Sequence, residues 1–164
     1  MIQRPQSILL LLVIVALLTT TRLPMWSKQE RDSPYAAAKV TYVISTWSFA
    51  AHVQGSPVRR TYFPYGLVGG LSLLVAGFAT YALCSYENRA KQLKIGLLNS
   101  VVMGVMLGVL LCLILQKDRC LLPALCGNYR AGLGFFVMAL VCNLWANVLI
   151  RKDERLVQAA DRIR

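Results

Sequence analysis

Charged residues divide this chain into blocks. Among the windows that contain none of them, four are strongly apolar: Pro5 to Thr21, Thr61 to Tyr86, Ile95 to Gln116 and Ala131 to Ile150. A helix needs about 20 apolar residues to cross a hydrocarbon core about 30 Å thick. Inside lipid each backbone N–H and C=O must be paired within the segment, which selects helices over isolated strands. The pattern predicts an all-α integral membrane protein, a four-transmembrane-helix bundle forming one domain over 1–164. Its spans are expected at about 5–24, 62–86, 95–116 and 131–150. The apolar run Ile8 to Leu18 also has the look of a signal-peptide core. Only Arg4 precedes it, however, and no small-x-small cleavage site follows, so a retained helix is favoured.

Between the first two spans lies the one long connection, 25–61, expected outside the cytoplasm. Lys39 to Phe49 is rich in β-branched and aromatic residues, and Val40, Tyr42 and Ile44 would share one face of a strand. Gly55-Ser56-Pro57 reads as a turn, after which Val58 to Phe63 could return as a second strand. A small β-hairpin is one reading of this loop, and an irregular segment on the lipid surface is the other. The tail 151–164 places Leu156, Ala159, Ala160 and Ile163 at helical spacing, an amphipathic helix that continues the fourth span or lies at the interface.

Composition supports the membrane reading. Hydrophobic residues make up 57% and charged residues 15% of the chain. The net charge of +11 sits beside the apolar windows, where Lys and Arg snorkel toward lipid phosphates. No basic helix stands apart as a nucleic-acid surface, so no nucleic-acid partner is expected. Four spans put both termini on one side, with Arg4, Arg89, Lys91, Lys94, Arg151, Lys152, Arg155, Arg162 and Arg164. The other side holds as many basic residues spread over longer segments. The denser side marks the cytoplasm, so both termini are expected there.

Inside the spans, Gly96, Ser100, Gly104 and Gly108 recur every fourth residue, a helix-packing ridge that Gly66 and Gly70 echo in the second span. Such a ridge lets another backbone approach closely, and packing of spans two and three is the simplest use of it. Asn99, Asn143 and Asn147 are the amides deep in the spans, and an antiparallel bundle brings them to similar depth as a polar cluster. Interhelical hydrogen bonding is their simplest role, and a polar pocket the alternative. Apart from Arg22 near the end of the first, no span carries Asp, Glu, Lys, Arg or His, which weighs against proton-coupled transport and hydrolytic chemistry.

Cys84, Cys112 and Cys142 fall within spans and act there as small apolar residues. Cys120 and Cys126 flank a short loop, where a disulfide and a pair of buried thiols are both open readings. His52 is the single histidine, and no catalytic, cofactor-binding or metal site is expected.

The chain begins Met1-Ile2-Gln3-Arg4 and ends Lys152-Asp153-Glu154-Arg155-Leu156-Val157-Gln158-Ala159-Ala160-Asp161-Arg162-Ile163-Arg164. Both ends, and the four spans with a long first loop, resemble a family of small four-pass membrane proteins of Bacteroidetes-type bacteria, classed as a domain of unknown function. Pro5 departs from that family's pattern. The resemblance implies a bacterial inner membrane and supplies no activity. The expected role is a non-enzymatic accessory or scaffold subunit, in contact with lipid and with another membrane subunit or itself. The alternative is a small oligomeric channel or facilitator for an uncharged solute.

Overall fold

The computed structural model describes residues 5–33, 36–53, 55, 57–85, 89–121 and 127–161. Four helices form: α1 (Pro5–Thr20), α2 (Tyr65–Cys84), α3 (Arg89–Cys120) and α4 (Ala131–Asp161). Each packs against two others, α1 on α2 and α4, α3 on α2 and α4, giving a square bundle. Among the described residues, three helices are long and apolar enough to cross a bilayer, namely α2, α3 from Lys91, and α4 to Leu156. The α1 helix is apolar but shorter, because Pro24 opens a strand where the first span was expected to continue. The tail does not lie apart: α4 runs unbroken past Arg151 to Asp161.

The bundle is most apolar on its outside. Leu11, Val15, Leu67, Val101, Val105, Val141 and Val148 face outward, while Ser72, Asn99, Asn143 and Asn147 are buried. A protein folded by water would reverse this, since exposed aliphatic surface costs about 25 cal/mol per Å². With lipid outside, that cost vanishes and the interior is free to hold small and polar residues. Val13, Ala16, Val75, Ala76, Ala79, Met103, Met106, Phe136 and Ala139 fill the middle, with alanines where the helices approach closely.

The expectation of an all-α fold is incorrect. The first loop is a sheet, with β1 (Pro24–Ser33), β2 (Ala36–Ser45), β3 (Phe49–Val53) and β4 (Arg59–Thr61). A short β5 (Asn128–Tyr129) joins from the loop between α3 and α4. The order is β4-β3-β2-β1-β5, antiparallel throughout. The strand expected from Val40, Tyr42 and Ile44 forms as β2, but its expected hairpin with 58–63 does not: β2 pairs with β1 and β3, and Arg59–Thr61 pairs with β3. Val40 and Ile44 are buried, and Tyr42 packs on the core around Ile44. Gly55 takes φ 89°, the left-handed turn conformation glycine tolerates. The unexpected strand is β1, whose Lys28, Gln29, Glu30, Arg31 and Asp32 read locally as a solvated loop. Pairing along nearly all of β2 satisfies its backbone and overrides that local preference.

One face of the sheet seals the end of the bundle where α1 and α3 finish and α2 and α4 begin. Met25, Trp26 and Ile44 form a second core with Tyr65 of α2 and Leu110 and Ile114 of α3. Trp26 and Tyr65 are buried at this seam. Tyr62, Phe63 and Tyr129 remain exposed around it, and Trp145 is exposed on α4.

Candidate functional site

Two polar features stand out in this apolar frame. The first is the amide cluster between α3 and α4. Asn143 Nδ2 donates to Ser100 Oγ at 2.8 Å and Gly96 O at 3.4 Å. Asn147 Nδ2 donates to the same two atoms at 2.8 Å and 2.9 Å. Asn99 Nδ2 donates to Asn143 Oδ1 at 3.3 Å, and the Ser100 hydroxyl donates to Gly96 O at 3.0 Å. Gly96 makes this possible, because a Cβ there would overlap the Asn147 carboxamide, only 3.1 Å from its Cγ. Each interhelical bond contributes roughly 0.6–2 kcal/mol in a membrane.

The structure thus joins Gly96 and Ser100 to the asparagines on α4. The rest of the glycine ridge behaves differently. Gly104 and Gly108 are exposed, and a Cβ at either would meet nothing within 4 Å. Gly70 is likewise open, and Gly66 lies 3.7 Å from the Trp47 carbonyl. The close contact on α2 falls instead at Gly69, where the Trp47 ring lies 2.6 Å from a Cβ position.

Three buried side-chain oxygens in this region have no hydrogen-bond partner: Gln92 Oε1, Asn99 Oδ1 and Asn147 Oδ1. Gln92 and Asn99 are each 1% exposed and Asn147 6%. An unpaired buried acceptor costs about 1–3 kcal/mol. Gln92 escapes a search for charge-free windows because it stands between Lys91 and Lys94. Its signal was its helical spacing, seven residues before Asn99 on the same face.

The second feature is the clasp between sheet and bundle. Lys28 on β1 buries its side chain and places Nζ 3.0 Å from Asp118 Oδ1 at the end of α3. The same ammonium donates to Asp118 O at 3.4 Å and Leu121 O at 3.5 Å, carbonyls of a helix C-terminus that favour a cation. Arg130 Nε donates to Ser27 Oγ at 2.7 Å, and Thr46 Oγ1 donates to Thr20 O at 2.9 Å, tying β2's end to α1. Tyr42, Phe49 and Tyr65 stack at 5.9 and 5.8 Å, with Lys117 Nζ 5.0 Å above Phe49. Gly132 opens α4 against the chain leaving α1; a Cβ there would lie 2.6 Å from Pro24 O.

The Cys120–Cys126 pairing lies outside the described residues, because Cys126 does. Among the described residues, no three His, Cys, Asp or Glu side chains gather as a metal-binding group.

These elements define a class: a helical membrane bundle capped at one end by an antiparallel sheet. Within it, the chain belongs to the family described as domain of unknown function DUF4293, whose model matches residues 2–163. None of the curated proteins matches the chain.

Proposed function

We propose that this protein is a non-enzymatic accessory or scaffold subunit of a bacterial inner membrane. In this reading α1 is a fourth span. At 1.5 Å per residue its described turns cover about 24 Å, flanked by the longer α2 and α4. Both termini then face the cytoplasm and the sheet lies outside, as the denser basic residues beside the terminal ends favour.

The observation that carries the role is the exposed apolar surface beside β4, one of the sheet's two outer strands. The β4 strand pairs only with β3, and Arg59, Arg60 and Thr61 are all exposed. Tyr62 and Phe63 follow, with Phe63 76% exposed. A three-residue outer strand with two arginines discourages backbone pairing, so the exposed Tyr62 and Phe63 beside it are the surface a partner chain would cover. The clasp residues hold β1 and the end of β2 on the bundle, and β3 and β4 extend from there.

Isolation in mild detergent, with mass spectrometry of co-eluting chains, tests the role. A stoichiometric partner is expected, and Tyr62→Ser/Phe63→Ser should reduce its recovery while the melting temperature holds. A partner-free monomer would overturn the scaffold reading and leave the facilitator for an uncharged solute in its place.

A further inference from the structure

Two of the three unpartnered oxygens, those of Asn99 and Asn147, lie at the α3–α4 contact, and the third belongs to buried Gln92, seven residues before Asn99 on α3. Gln92 and Asn99 are two helical turns apart on one face of α3, about 10 Å along its axis. Asn147 reaches across from α4 to lie over Gly96, between them. Asn143 and Asn147 have spent their N–H groups on Gly96 O and Ser100 Oγ, and the Ser100 proton is spent on Gly96 O. The cluster is therefore rich in acceptors and short of donors. Packing alone would not select three carboxamides whose oxygens meet no donor, because buried polar groups are almost always satisfied by protein or ordered water.

We propose that the Gln92, Asn99 and Asn147 carboxamide oxygens form a buried line of acceptor sites for more than one small neutral hydrogen-bond donor of water's size. A cation fits poorly. The line has no carboxylate, and Lys91, Lys94, Arg151 and Lys152 are exposed near the same end of the bundle. A bare cation would exchange its hydration for neutral oxygens beneath a positive rim. A neutral donor meets no such penalty. This inference does not rest on the scaffold reading, and a partner-free protein would leave it standing.

The test uses the full chain in lipid nanodiscs with water as the probe. Rotating-frame cross-relaxation is measured between water and the side-chain amide protons of Asn99, Asn143 and Asn147. Long-lived water cross-peaks are expected, and Gln92→Met should weaken them and lower the unfolding midpoint. Absence of the cross-peaks in the unaltered protein overturns the site. So does an unchanged or raised midpoint in Gln92→Met, since a bare buried acceptor is better removed than kept. The cross-peak experiment needs no variant, so a misfolded Gln92→Met would not shield the proposal.

Discussion

The clasp at Lys28 makes an asymmetric prediction. The Lys28 side chain is 1% exposed and that of its partner Asp118 is 39% exposed. Removing either partner breaks the same 3.0 Å ion pair, yet what remains differs. In Asp118→Asn a buried ammonium keeps only an amide oxygen and the carbonyls of Asp118 and Leu121 at 3.4 and 3.5 Å. Leaving a buried charge uncompensated costs about 3–5 kcal/mol, and the surviving carbonyls place this case at the lower end, about 3 kcal/mol. In Lys28→Met the residue left behind is a carboxylate that water already reaches. Methionine refills the volume of the lysine stem, so only the charge-assisted bond and the helix-end attraction are lost. With the buried ammonium's own desolvation removed, the net cost should be about 1 kcal/mol or less. The double variant should then resemble Lys28→Met and be more stable than Asp118→Asn. Equilibrium unfolding in detergent micelles measures all three, with the fluorescence of Trp26, buried on the same strand, reporting on the sheet. A Lys28→Met variant less stable than Asp118→Asn would refute the reasoning, because it would mean that the ammonium is not the group held at a cost.

Two further outcomes follow from the geometry. Gly132→Ala should destabilise by about 1–2 kcal/mol, since overpacking against the Pro24 backbone outweighs the helix propensity gained. Gly134→Ala, on the same helix with nothing within 4 Å of its Cβ position, should be neutral or stabilising, and thermal melts of the pair check this. Cys84 ends α2 and Cys120 ends α3, both exposed and at opposite ends of the bundle. In single-cysteine variants, an impermeant maleimide added outside cells should label Cys120 and spare Cys84; the reverse pattern would invert the proposed orientation.

What could be read from the chain depended on how local its cause was. Long uncharged windows report lipid solvation directly: α4 starts at the expected residue, the limits of α2 and α3 differ from the expected ones by two to six residues, and the largest difference is the continuation of α4 to Asp161. The alternation of Val40, Tyr42 and Ile44 is equally local, and those residues do share the inward face of β2. The β1 strand is not local. Its Lys28 can be buried only because Asp118 waits ninety residues away, and no window around Lys28 contains that partner.

The glycine ridge fails for a different reason, one of helical geometry rather than distance. A repeat of four advances 400° in a helix of 3.6 residues per turn, so each step drifts about 40° around the axis. From Gly96 to Gly108 the ridge has turned by about 120°. Gly96 and Ser100 therefore meet α4, while Gly104 and Gly108 have rotated onto the outer surface. The same arithmetic favours the amides: seven residues from Gln92 to Asn99 return within about 20° of one line, and both are buried. A period of four marks a ridge over two turns, whereas a period of seven keeps polar groups on one seam. That is why the polar strip, and not the glycine ridge, runs along the inside of this bundle.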